Sequence, residues 1–162
     1  VTLEALRFAV EERPDARFAA ALLDRVPVAE NACAAGCAFC CHLPVLVTRA
    51  EADLLAEVAS RLPEVRARIA APTRRCAFLG DDLRCVAYDV RPLRCRAHTS
   101  KDRAVCERVH AGEAPLASVP GDPWLRLSAE AIRRGLGGQE RELHAAVAEA
   151  IIRACAVAPS AS

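Results

Sequence analysis

Four cysteines fall within nine residues, Cys33-Ala34-Ala35-Gly36-Cys37-Ala38-Phe39-Cys40-Cys41, and Cys76, Cys85, Cys95 and Cys106 follow. Eight of the nine thiols therefore lie between residues 33 and 106. A thiolate is a soft ligand, so such a set points to zinc or iron and away from magnesium or calcium. Zinc takes four thiolates in a tetrahedral site, and a four-iron cluster also takes four, so eight make two sets or one polynuclear centre. We take all eight, Cys33, Cys37, Cys40, Cys41, Cys76, Cys85, Cys95 and Cys106, as metal ligands.

Spacing adds to this. The step Cys37-x2-Cys40 lets both sulfurs face inward, which suits either metal. Neighbouring residues point different ways, so Cys40 and Cys41 are most naturally shared between two ions or two clusters. The ferredoxin run C-x2-C-x2-C-x3-C-P is absent, which argues against a simple electron carrier. A disulfide framework fits less well, because a bridge between sequence neighbours strains the peptide and a chain of 162 residues can bury an ordinary core.

Four thiolates around one site leave a charge of about −2. Arg74, Arg75, Arg84, Arg91, Arg94 and Arg96 interleave with the later cysteines and can offset it. Arg91 and Arg96, beside Pro92 and Cys95, are the two expected to donate hydrogen bonds to sulfur. Tyr88, His42 and His98 are candidates for the same outer layer, and the histidines for an open coordination position or proton transfer. His110 and His144 are expected to lie outside the cluster.

The elements that must position these residues read as mainly α: a helical scaffold around a cysteine-rich metal-binding core with one small β-hairpin. Helices are expected from about Leu3 to Glu12 and Asp15 to Arg25, the second with a stripe of Phe18, Leu22 and Val26. Thr48-Arg49-Ala50-Glu51 is a capping box opening a helix with Leu54, Leu55, Val58 and Leu62 buried. Pro63 starts another piece, to about Ala70. Residues 76 to 88 read as the hairpin, with a cysteine on each arm of a Gly-Asp-Asp turn. Ser100 is placed to cap a helix carrying Cys106. Later helices are expected from Trp124 to about Arg134 and from Gln139 to Val157, separated by a pause at Gly135 to Gly138. The last aligns Leu143, Val147, Ile151 and Cys155, which makes Cys155 a small buried apolar residue. The whole is read as one domain, 1–162, with the metal core at 33–106 and flanking helices at 1–30 and 120–157.

The run Cys33-x3-Cys37-x2-Cys40-Cys41, then Cys76-x-Phe78-Leu79 and Cys85-x2-Tyr88-x2-Arg91-Pro92-x2-Cys95-Arg96, resembles the YkgJ-like family of cysteine-cluster (CxxCxxCC) proteins. The resemblance covers residues 33 to 106 and implies a zinc- or iron-chelating domain. This chain departs from the family run in the three residues between Cys33 and Cys37 and in the ten-residue gap before Cys106. The family includes flagellin lysine N-methylases, which implies a modifying role among its activities. No glycine-rich signature for a nucleotide or methyl-donor fold is present.

A net charge of +1 gives no bulk attraction to nucleic acid, and no apolar run approaches a membrane span. Residues Val1 to Arg13 alternate apolar and charged side chains, unlike a secretory leader, so a cytoplasmic setting is expected. The expected function is a metal-binding cysteine cluster, an iron or iron-sulfur centre in redox or protein-modifying chemistry. The alternatives are a structural zinc (Zn2+) module for protein interaction and a metal carrier or sensor. The expected partner is a protein, or a protein or peptide substrate, with neither nucleic acid nor membrane; the oligomeric state stays open.

Overall fold

The computed structural model describes residues 1–28 and 30–157. Among these it is mainly helical: α1 (Leu3–Glu12), α2 (Ala16–Leu23), α3 (Arg49–Arg61), α4 (Pro63–Ala70), α5 (Leu93–Ala97), α6 (Arg103–His110), α7 (Pro123–Leu136) and α8 (Leu143–Val157). One antiparallel pair joins β1 (Leu46–Val47) to β2 (Arg141–Glu142), with Leu46 opposite Glu142 and Val47 opposite Arg141.

Local chemistry sets the helix starts. Thr2 accepts from the Ala5 amide and Asp15 from the Phe18 amide at 2.6 Å, each satisfying an amide that a first turn leaves unpaired. At α3 the expected capping box is complete, with Thr48 and Glu51 exchanging backbone and side-chain hydrogen bonds. Before α6 the expected cap is corrected. Asp102 holds that position and accepts from the amides of Ala104 and Val105. Ser100 lies two residues further out, and its hydroxyl is used on the Asp102 backbone.

Packing decides which faces are buried. In α2 the deeply buried residues are Ala16, Ala19 and Leu23, and the expected stripe of Phe18, Leu22 and Val26 forms a partly buried rim. Small residues at the centre let α2 approach its neighbours closely. In α3 the deepest positions are Ala52, Leu55, Ala56 and Ala59, with Val58 and Leu62 at the margin. Helix α7 continues through Gly135, where a break was expected: a Cβ there would stand 2.5 Å from the Arg7 carbonyl oxygen, so glycine permits the close crossing with α1. Gly137, at φ +65°, then ends the helix.

Two buried clusters result. The first gathers α3, α4, α8 and β1 around Leu55, Val65, Ile69 and Val147, and takes in Ala77, Phe78 and Ala87; Cys76 and Cys85 pack against it. The second gathers α1, α2, α5 and α7 around Leu6, Val10, Leu23, Leu93, Leu125 and Ile132. The thiol-bearing loop 76–88 is thus seated on one core, and the helix carrying Cys95 on the other.

The hairpin expected at 76–88 is reduced to an isolated antiparallel bridge between Leu79 and Cys85, flanked by Gly80 N–H to Arg84 O and Val86 N–H to Phe78 O bonds. The pairing stops because the Cys76 amide donates to the Cys41 carbonyl (2.7 Å) instead of to the opposite arm. The sheet that does form was not foreseen, and residues 141–142 enter it where the last helix was expected to have begun. Burial along α8 fades after Ala150, so Cys155 is exposed and the expectation of a buried thiol is corrected. No helix among the described residues is long and apolar enough to cross a membrane.

Candidate metal centre

Two stretches poor in regular structure deliver most of the thiols. The first is held by three short bonds. Ala32 N–H donates to Ser100 O (2.7 Å), Cys33 N–H to the Asn31 side chain (3.0 Å), and Cys37 N–H to Ala34 O across a turn where Gly36 takes φ +84°. A 3-10 turn, Phe39–His42, then presents Cys40 and Cys41. This turn lies on α6, where the His110 ring stands 5.6 Å from Phe39 and 4.6 Å from His42, and Arg103 covers the Phe39 ring. Cys106, buried on α6, shares a small cavity of about 10 Å³ with Cys40, Phe39, Leu43, His98 and His110.

The second stretch begins where Cys76 bonds to Cys41 and returns through the Leu79–Cys85 bridge. Helix α5 adds Cys95. Its start is held by Glu51, only 4% exposed, whose carboxylate accepts from Thr48 N–H, Thr48 O–H and, at 2.7 Å, Leu93 N–H. The capping box of α3 thereby also anchors the Cys95 helix.

All nine cysteines are free thiols, and burial more than mutual repulsion sets the proton affinities of Cys33, Cys76, Cys85 and Cys95. Burial pushes Cys76 up to about 11, against a backbone hydrogen bond from Phe78, with Cys85, Cys40 and Glu142 adding to the rise. Cys95 is driven far up by burial and then by Cys76, Cys40 and Cys85. Cys85 rises by burial, opposed by a bond from the Ala87 backbone and by the Arg91 charge. Cys33 rises by burial, against a bond from the Ser100 backbone, with Cys37, Cys40 and Cys106 contributing. Cys40 alone among the shifted thiols is held low, by its hydrogen bond with Cys41, which pushes Cys41 strongly up in return. As the side chains stand, no three Cys, His, Asp or Glu groups among the described residues converge closely enough to hold an ion. The donor chemistry nonetheless suits zinc or iron, because a divalent cation draws off the protons that burial makes these thiols keep.

A pH dependence follows. Thiols held above their ordinary value of about 8.5 keep protons that the unfolded chain has lost above that pH. The metal-free protein is therefore expected to have its full stability below about pH 8.5 and to lose it as pH rises further. Cys40 acts in the opposite sense, but Cys33, Cys41, Cys76, Cys85 and Cys95 outnumber it. Melting temperatures of chelator-treated protein at neutral and alkaline pH test the sign; a flat or rising curve contradicts it.

Of the residues expected around the sulfurs, Arg91 has its charge near Cys40 and Cys85, and its guanidinium lies 3.9 Å from the centre of the Tyr88 ring. Its buried Nε has no hydrogen-bond partner among the described residues. Tyr88 is exposed and serves as the platform for Arg91. Arg96 was expected beside sulfur and instead donates to both oxygens of Asp24 and to the carbonyls of Arg91 and Asp89. It fixes the backbone from which Arg91 projects. Both arginines line a surface cavity of about 170 Å³ with Asp24, Glu51, Asp89 and Leu93. Arg75 clamps the carbonyls of Leu79 and Gly80, Arg94 pairs with Glu140, and Arg74 and Arg84 are exposed. His42 Nδ1 stands 3.1 Å from the Ala38 carbonyl oxygen. His98 is held below the ordinary histidine value by burial and then by Arg126.

Two residues not expected here lie near the thiols. His110 lines the cavity with Cys40 and Cys106; its position four residues after Cys106 on one helix face is a signal the sequence carries. Glu142 is brought near Cys76 by the β1–β2 pairing, and its carboxylate bonds His144 Nδ1 at 2.9 Å. No sequence pattern indicates that pairing.

Residues 32–112 match the family model CxxCxxCC, described as "Putative zinc- or iron-chelating domain". The chain belongs to this family. The CxxCxxCC match spans all eight clustered cysteines together with α3 to α6, and leaves α1, α2, α7 and α8 outside it. It identifies the region as a chelating domain for zinc or iron and agrees with the resemblance seen in the motif. No curated protein and no solved structure matches the chain.

Proposed function

We propose that this CxxCxxCC domain holds iron, as a thiolate-iron or iron-sulfur centre, for redox or protein-modifying chemistry on a protein or peptide partner in a cytoplasmic setting. The observation that carries the reading is Arg91. Its buried Nε is unpaired, its charge lies near Cys40 and Cys85, and its side chain lines an open cavity of about 170 Å³. A metal staple alone has no use for such a cavity. When bound, the metal supplies electron transfer or Lewis acidity. The chain's own part is to bury the thiols, offset their charge with Arg91, and hold Arg91 in place through Arg96 and Tyr88.

The test is elemental analysis with an ultraviolet-visible spectrum on protein purified without oxygen. Iron, with or without acid-labile sulfide, and a coloured protein are expected. A colourless protein containing zinc alone overturns the reading.

One observation favours structural zinc as a second reading. Between Leu23 and Leu46, and between Ala70 and Leu93, the described residues contain no α-helix or strand beyond 3-10 turns and one isolated bridge. Loops of this kind gain most from a metal that supplies folding energy outright.

A further inference from the structure

Two opposite charges, Asp89 and Arg91, stand two residues apart on the wall of the cavity of about 170 Å³. The other charged groups of that wall are already matched. Arg17 pairs with Glu57 at 2.8 Å, Arg96 pairs with Asp24 at 2.7 Å, and the Glu51 carboxylate accepts from three donors. Among the described residues Asp89 and Arg91 form no ion pair, with each other or with another side chain, and the buried Nε of Arg91 has no acceptor. The backbone that bears them is fixed. Arg96, whose side chain is 7% exposed, donates to the carbonyls of both Asp89 (2.5 Å) and Arg91 (3.0 Å). Tyr88 covers one face of the Arg91 guanidinium, which leaves the donors in its plane for a ligand. Ala20, Leu54 and Val90 make the same wall partly apolar.

We infer that this cavity binds a small zwitterion of the α-amino acid class, with its carboxylate on Arg91, its ammonium on Asp89 and a short aliphatic side chain on Ala20, Leu54 and Val90. An apolar lining with a few placed polar groups is the usual make-up of a small-molecule site, and a cavity of this size has room for a compact amino acid. Charge selects the zwitterion. Three arginines and three carboxylates line the cavity and balance, so a ligand carrying both signs leaves no charge unmatched. A lone carboxylate leaves Asp89 without a partner, and a lone ammonium leaves Arg91 without one. The Arg91 charge also lies near Cys40 and Cys85, so an anion with no cation of its own competes with those thiolates for it. The inference goes beyond the metal reading above and holds for zinc and iron alike.

Calorimetric titration of the full chain, with the metal it carries from purification, tests this with three probes: L-valine, L-valinamide, which lacks the carboxylate, and N-acetyl-L-valine, which lacks the ammonium. Valine is expected to bind, and each derivative to bind roughly tenfold more weakly or worse, the loss of one hydrogen-bonded charge. Arg91→Gln should weaken valine by a similar factor and leave valinamide unchanged. Asp89→Asn, on an exposed side chain, should weaken valine and leave N-acetylvaline unchanged. Ala20→Leu, which fills the cavity from its apolar side, should abolish valine binding in a chain that remains folded. No binding of valine at millimolar concentration, equal binding of valine and its derivatives, or unchanged valine affinity in Asp89→Asn overturns the inference. Zinc in place of iron overturns the iron reading alone and leaves this one standing.

Discussion

Replacing Glu51 with alanine is expected to lower stability by about 3–5 kcal/mol, since each buried hydrogen-bonding group left without its partner costs about 1–3 kcal/mol. The carboxylate accepts from three donors in a site only 4% exposed: Thr48 N–H, Thr48 O–H and Leu93 N–H. A loss of that size corresponds to a fall in melting temperature of about 10 °C or more for a chain of this length. The effect should reach the metal as well, because the Leu93 bond fixes the first turn of the helix carrying Cys95. Thermal denaturation followed by circular dichroism, paired with metal content per chain, measures both. Glu51→Gln keeps acceptor capacity without the charge and should fall between wild type and alanine. A Glu51→Ala protein that melts within a degree or two of wild type would show that α3 and α5 do not depend on this link.

Metal removal should act on a different part of the molecule and with larger effect. A thiolate site of this kind contributes on the order of 10 kcal/mol to the conformation that builds it. The thiol-bearing loops rest on few bonds of their own, among them Ala32 to Ser100, Cys37 to Ala34, Cys76 to Cys41 and Val86 to Phe78. After chelation these amides are expected to exchange with solvent roughly a hundredfold faster or more, because local opening there is no longer opposed by the metal. The amides within α3 and α8 and within α1 and α7 should keep most of their protection, since those helices are buried against one another. Hydrogen exchange read peptide by peptide distinguishes the outcomes. Uniform loss across the chain, or no change at 31–45 and 73–92, contradicts this division.

Much of the scaffold was legible because its signals are local. The capping box at Thr48 and the proline at position 63 act within one turn, so α3 and α4 begin where the residues indicate. The larger apolar side chains of α2 misled in a consistent way. Periodicity weights size, whereas a tight crossing places alanine at its centre and sends Phe18 and Leu22 to the rim. Gly135 was misread for a related reason. Glycine in isolation weakens a helix, but opposite Arg7 and Val10 it is the residue whose lack of a Cβ lets α1 come close.

The chemistry divides along the same line. Residue type and spacing alone determined that this chain gathers thiols for a soft or borderline metal, because a run such as Cys37 to Cys41 has few other uses and ligand preference is a property of sulfur itself. Only the tertiary structure decided which sulfurs face which. It set Cys40 beside Cys106 and Cys76 against the backbone of Cys41, brought His110 to the cavity beside Cys106, sent Arg96 to Asp24 and left Cys155 outside. Those placements depend on long-range events, the Glu51–Leu93 bond and the seating of two loops on two cores. Each joins residues tens of positions apart, and no short-range preference along a chain encodes a meeting of that kind.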